Sequence, residues 1–263
     1  MGKIRTTIWN EFVHERQTDA VGDLIRSFYP TGIHNALREN LAAEDLDIAA
    51  VSLDMPAQGL PDELLANTDV LVWWGHCAHA QVDDELVSRI QKRILEGMGL
   101  IVLHSGHSSK VFRRMTGTSC SLRWREIGER ERVWTVDLQH PISRGVPETF
   151  VIPHTEMYGE PFGIPEDAHV IFMSWYEGGN VFRSGLTFRR GAGRIFYFSP
   201  GHETYPIYHQ PEVVRILANA VRWAAPDLPP QQTTCWNNVP PMDEVRTPNP
   251  LDALDTSALH MKK

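Results

Sequence analysis

The sequence predicts an α/β fold built on a mostly parallel central sheet, and three features predict it. Residues Gly99-Leu-Ile-Val-Leu-His-Ser-Gly-His107 run an apolar segment straight into a polar turn. A strand apolar on both faces belongs inside a parallel sheet covered by helices. A second stretch, Gly193-Arg-Ile-Phe-Tyr-Phe-Ser-Pro-Gly-His-Glu203, has the same grammar. Between Asp69 and Leu103 the pattern reads strand, amphipathic helix, strand, the spacing of a right-handed βαβ unit. Ligands of such sheets bind beyond the carboxyl ends of the strands, where His104, Ser105, His202 and Glu203 are expected.

The elements follow in order. Ile4 to Trp9 alternates weakly and reads as the first strand, with Asn10 to Glu15 a polar corner carrying Glu11. His34 to Leu41 is an amphipathic helix capped by Thr31 or Gly32, its first turn holding His34. Ile48 to Leu53 and Asp69 to Gly75 are the next strands, the latter placing Trp74 beside His76. Leu86, Val87, Ile90, Ile94 and Leu95 mark one face of a helix over 83–97, closed by Gly97. Past Cys120 the alternating charges from Arg123 to Arg132 read as a solvated face, on an antiparallel excursion at the sheet edge. Phe150 to Tyr158, Val170 to Trp175 and Gly193 to Ser199 are extended, and Glu212 to Trp223 is a closing helix.

A chain of 263 residues with 42% hydrophobic content suits one α/β domain over 1–225. Residues 226–263 are rich in Pro, Asn, Thr and Asp and read as a tail that docks or stays partly extended. The net charge of −8 and the absence of a basic stripe argue against nucleic acid as a partner. No apolar run reaches membrane-spanning length, and the amino terminus lacks the order of a signal peptide, so a cytoplasmic protein is expected. The first six residues formally fit a myristoylation pattern, but Gly2 to Ile8 is needed as a strand. Three widely spaced cysteines suit neither a disulfide framework nor a zinc ribbon. Trp residues at strand ends and the apolar positions of the tail point to a homo-oligomer.

Twelve histidines are many for this length, and most fall at strand ends or loops. Glu11, His34, His76, His104, His107, Glu156, Tyr158, His202 and Glu203 collect at one rim in this reading. Imidazoles and carboxylates bind divalent metals and move protons near neutral pH. A metal, zinc by preference, would be held by a subset of His34, His104, His202 and Glu156. Glu11, Glu156, Tyr158 and Glu203 are the catalytic candidates, and Trp74, His76, Ser105 and His107 the substrate-binding ones. The spacings His76-x-x-His79 and His104-x-x-His107 match no specific ligand motif. Structural roles stand beside these: Glu203 capping a helix from Thr204, Glu156 pairing with an Arg, and Tyr158 or the Trp residues packing. Trp73, Trp74 and Trp175 are candidates for a sugar platform.

The same segments carry a resemblance. Gly97-Met-Gly-Leu-Ile-Val-Leu-His-Ser105, His140-Pro-Ile-Ser-Arg-Gly-Val-Pro147, Thr155-Glu-Met-Tyr158, Gly191-Ala-Gly-Arg-Ile-Phe-Tyr-Phe-Ser-Pro-Gly-His202 and Leu217-Ala-Asn-Ala-Val-Arg-Trp-Ala224 resemble the ordered motifs of the ThuA-like trehalose utilisation family. The resemblance implies a flavodoxin-like three-layer sandwich of the class I glutamine amidotransferase type. It also implies a role in disaccharide catabolism, on a sugar or on a keto form made by a partner sugar dehydrogenase. Amidotransferases place a nucleophilic Cys in a sharp strand-to-helix turn, whereas this chain has His104-Ser-Gly106 there and His202-Glu203 in place of a late His-Pro-Glu. Glutaminase chemistry is therefore not expected. Ser105 activated by His202 would sit one residue off such a turn. The expectation is a hydrolase, lyase or isomerase acting on a sugar; the alternative is a non-catalytic sugar-binding or regulatory protein of the same fold.

Overall fold

The structure, a computed structural model, describes residues 2–227. The proline-rich segment expected to dock as a tail lies almost wholly outside the described residues. Among the described residues nine strands form one sheet: β1 (Ile4–Asn10), β2 (Leu46–Ser52), β3 (Val70–Trp74), β4 (Gly99–Leu103), β5 (Arg123–Thr135), β6 (Thr149–Gly159), β7 (His169–Tyr176), β8 (Val181–Arg190) and β9 (Gly193–Phe198). Six α-helices accompany them: α1 (Ala20–Phe28), α2 (Ile33–Asn40), α3 (Asp62–Ala66), α4 (Asp84–Leu95), α5 (Lys110–Thr116) and α6 (Pro211–Ala224). The strand order is β2-β1-β3-β4-β9-β8-β7-β5-β6.

The sheet is mixed, which corrects the expectation of a mostly parallel one. The first five strands in that order pair in parallel, and β9, β8, β7, β5 and β6 then pair antiparallel. The antiparallel part is thus half of the sheet rather than an excursion at its edge. β5 runs through the charged segment itself, from Arg123 to Thr135, and β8 carries no clean alternation because both of its faces are covered from Ser184 to Phe188. The α/β class and the helices on both faces are as expected.

Two apolar layers hold the sheet. Ile25 of α1, Ile33 and Leu37 of α2, and Ile216 and Leu217 of α6 pack with Ile8, Val72, Ile101 and Phe198 on one face. Leu65 of α3, Val87 and Ile90 of α4, and Phe112 of α5 pack with Leu71, Trp73, Val102 and Tyr197 on the other. A strand between two such layers has no polar face, which is why Leu100 to Leu103 is apolar throughout and fully buried. Register then sets the rim: Trp9↔Trp73, Trp73↔Val102 and Leu103↔Phe198 place the ends of β1, β3, β4 and β9 side by side. Gly201, just past β9, has φ 148°, and a Cβ there would meet the Tyr208 hydroxyl at 2.0 Å. Only glycine lets the chain turn tightly enough to bring His202 and Glu203 back over the rim.

Candidate functional site

The organising corner is the end of β4. His104, the first residue of a 3-10 turn over 104–108, is wholly buried and has φ 48°, a conformation costly for a residue with a side chain. That strain marks His104 itself, not Ser105, as the residue at the sharp strand-to-helix turn. Its Nδ1 donates to the Ser199 carbonyl at 2.7 Å, which fixes the ring and leaves Nε2 3.0 Å from Glu156 Oε2 and 3.3 Å from the Tyr158 hydroxyl. The Ser105 hydroxyl bonds the Tyr158 hydroxyl at 2.8 Å and has no imidazole partner among the described residues.

Glu203 is the second centre. Its Oε1 lies 2.5 Å from His14 Nδ1 and 2.9 Å from His76 Nδ1, and Oε2 lies 3.8 Å from His202 Nδ1. Burial works against the Glu203 charge, but hydrogen bonds from His14 and His76 outweigh it and hold the carboxyl well below the usual range. In return Glu203 raises His14, and it raises His76 despite the opposing effect of burial. Around Glu156 the balance is similar, burial being overcome by His104, His202 and His76 so that the carboxyl stays anionic. His202 is different: burial pushes its imidazole down to about 4, and Nδ1 is engaged by the Thr204 hydroxyl at 2.7 Å. No helix starts at Thr204, so Glu203 does not serve as the cap considered above.

The antiparallel half contributes across the rim. Glu156 and Tyr158 lie on β6, and the register places Trp124 of β5 directly opposite Tyr158. Between Arg125 and Glu129 the register shifts, with Gly128 at φ 71°, and the bulge aims Glu126 at the cluster. Glu126 accepts from the Tyr205 hydroxyl at 2.5 Å and lies 3.8 Å from His202 Nε2, and burial raises its carboxyl. The alternating charges of this segment are therefore not one solvated face. Glu126 serves the rim, and Glu129 and Glu131 are buried.

Other candidates fall elsewhere. His34 is buried between the side chains of Asn10 and Asn35, at 3.1 Å each, with its imidazole down to about 4 through burial, and it joins no metal-ligating group among the described residues. Glu11 is taken up by the turn after β3, accepting from the amides of Cys77 at 2.8 Å and Ala78 at 2.9 Å, so it braces that turn. Trp74 is fully buried and donates to the Gly201 carbonyl, and Trp73 stacks on Trp9 at 3.7 Å. Neither is open to a sugar. His14, His79, Glu126 and Trp124 are the residues that sequence reasoning missed. His14 sits in the polar corner after β1, where only the position of its neighbour Glu11 could have flagged it.

A cleft of about 430 Å³ opens over this floor, lined by His76, His79, Ser105, His107, Ser108, Ser121, Leu122, Trp124, Glu156 and Tyr158. His107 Nδ1 donates to the Cys120 carbonyl at 2.7 Å, and burial lowers its imidazole to about 4. Ligand atoms of His104, His202 and Glu203 lie within 4.8 Å of one another, as do those of His14, His76 and Glu203, and those of Glu126, Glu156 and His202. Mixed His and carboxylate sets with one ring nitrogen fixed by a backbone carbonyl, as at His104, fit a divalent cation such as zinc.

Solved structures similar to this chain include a ThuA-like protein of Parabacteroides merdae, 14% identical, with a TM-score of 0.61 over 88% of this chain and 93% of that one. A cytoplasmic protein of Salmonella typhimurium is 15% identical, with a TM-score of 0.56 over 84% of this chain and 99% of the other. The PurLQS structure of Thermotoga maritima matches at 12% identity and a TM-score of 0.50, over 84% and 99%. At these identities the likeness is one of fold. No curated protein matches the chain in sequence. No described helix is long and apolar enough to cross a membrane. The family model described as trehalose utilisation, ThuA, matches residues 5–224, nearly the whole described domain, and the chain belongs to that family.

Proposed function

We propose that the chain is an enzyme of disaccharide utilisation that transforms a disaccharide, or its keto derivative supplied by a sugar dehydrogenase, at the cluster around His104 and Glu203. The observation that carries this reading is the convergence of four imidazoles and three carboxylates from both halves of the sheet into one cluster, of which His76 and Glu156 line the cleft. Carboxyls whose surroundings push them in opposite directions are the equipment of proton transfer. Glu156, kept anionic, is the base. Glu126, whose carboxyl is raised, is the acid, and it is half open to solvent for re-protonation. The Ser105, Tyr158 and His104 hydrogen bonds orient a substrate hydroxyl or carbonyl against them. A divalent cation held by His104, His202 and Glu203, or by His14, His76 and Glu203, would polarise that oxygen. Glutaminase chemistry finds no support: His104 occupies the sharp turn, Cys120 is buried, and burial with the Glu11 carboxylate beside it pushes the Cys77 thiol up to about 12.

The test is elemental analysis of untagged protein together with product analysis by NMR after incubation with trehalose and keto-trehalose. About one equivalent of metal, and a new sugar product lost in His104→Ala, support the reading. Unchanged sugars with both substrates, after metal reconstitution, overturn it.

A further inference from the structure

The cleft has an inner floor of charged groups and an outer wall of a different character. Trp124 stands at its mouth with 66% of its surface exposed, next to Leu122, and makes no ring contact with another aromatic side chain among the described residues. An indole left this open at a strand position gains nothing from its own fold, since the hydrophobic reward goes only to buried area. Its position is nevertheless fixed. The β5–β6 register pairs it with Tyr158, whose hydroxyl reaches the floor, so both side chains rise from one face of the two strands. The same cleft is lined by neutral hydrogen-bonding groups: His107, His79 and the hydroxyls of Ser108 and Ser121. None of the residues that line the cleft is Lys or Arg, and Glu156 is the carboxylate among them.

A flat apolar plate in one cleft with neutral donors and acceptors matches a pyranose ring, which offers a C–H face and a rim of hydroxyls. It does not match a phosphorylated ring, because phosphate recognition calls for Arg, Lys or a long helix N-terminus. The cleft volume lies in the ~300–1,000 Å³ range of small-molecule sites. That leaves space for a second ring beyond the one on the floor.

We propose that Trp124 is the platform of an outer subsite, which binds the second, unphosphorylated ring of the substrate while the first lies against His104 and Glu156. The inference rests on the sugar reading above and assigns a specificity-determining role to a residue outside the proton-transfer groups. Trp124 selects two-ring substrates through binding.

The experiment is isothermal titration of the full chain, wild type, Trp124→Phe and Trp124→Ala, with trehalose, methyl α-glucoside and trehalose 6-phosphate. Melting temperature is recorded alongside. Because the side chain is exposed, both variants should melt with the wild type. Expected are a Kd for trehalose raised at least tenfold in Trp124→Ala and largely restored in Trp124→Phe, an unchanged Kd for the one-ring glucoside, and weaker binding of the phosphate than of trehalose. Equal trehalose affinity in wild type and Trp124→Ala overturns the subsite and leaves the sugar reading intact. Tighter binding of the 6-phosphate overturns its neutral character. Failure of wild type to bind any of the three, or keto-trehalose titrated beside them, overturns the sugar reading and the subsite with it.

Discussion

The two halves of the sheet solve the same problem differently. In the parallel half, strands covered on both faces end together, and the site groups sit where the chain leaves them: His14 after β1, His76 after β3, His104 after β4, His202 and Glu203 after β9. In the antiparallel half, Glu156 and Tyr158 lie within a strand and Glu126 in a bulge. Topology delivers the first set, whereas register and a local irregularity deliver the second. A site assembled this way depends on how the two halves meet, at β9 and β8.

Replacing Glu203 breaks the parallel contribution most severely. Glu203→Gln leaves His14 and His76 without their counter-charge, so urea unfolding at pH 6 should show a loss of about 3 kcal/mol. Turnover of the sugar substrate should fall at least ~100-fold in the same variant. Wild-type values for both would show that the cluster neither stabilises nor works. Glu156→Gln asks whether the antiparallel half takes part in the chemistry. We expect kcat to drop by about 100-fold with stability within ~1 kcal/mol of wild type. A kcat within threefold of wild type would reduce β6 to a wall.

Away from the site, each half buries titratable side chains that the cluster does not use, and two of these, Glu131 and His34, respond to pH in opposite directions. Glu131 on β5 accepts from the Ser174 hydroxyl at 2.5 Å and from the Tyr176 hydroxyl at 3.2 Å, and burial raises its carboxyl to about 7. The native state keeps a proton that the unfolded chain releases near pH 4.5, so this residue's contribution falls as pH rises from 4.5 to 7. Glu131→Gln should therefore gain ~2 kcal/mol at pH 8 and nothing at pH 4.5. A gain independent of pH would assign the effect to packing. His34 runs the other way. Its imidazole is down to about 4, so between pH 6.5 and 4 the unfolded chain binds the proton and the native one does not. Stability should fall on acidification by up to ~1.4 kcal/mol per pH unit from this group, and His34→Gln should flatten the slope by that much. Identical slopes in urea titrations of both proteins would contradict it.

These contrasts also explain what was legible in the sequence. Apolar runs such as Leu100 to Leu103 and Ile195 to Phe198 announce buried strands, and that alone puts the residues that follow them, His104, His202 and Glu203, at the rim. His34 and Trp74 were misplaced by the same logic. A helix start or a strand end fixes where a side chain begins, while neighbours such as Asn10 or Gly201 decide where it points. The charged run from Arg123 to Arg132 concealed the rest. Alternating signs look alike whether a residue faces water, as Arg130 does, or is wholly enclosed, as Glu131 is. Trp124 and Glu126 depend on a register shift that leaves no mark in composition.

The place of β9 has a consequence for biosynthesis. It is the last of the described strands to be made, yet it lies in the interior of the sheet, sealing β4 on one side and β8 on the other. Until Gly193 to Phe198 has left the ribosome, Leu100 to Leu103 is a naked, wholly apolar edge, the kind of surface that templates association between nascent chains. The same late segment leads directly into Ser199, His202 and Glu203. Protection from aggregation and completion of the cluster therefore arrive in one step, and a chain cut short before that step has neither.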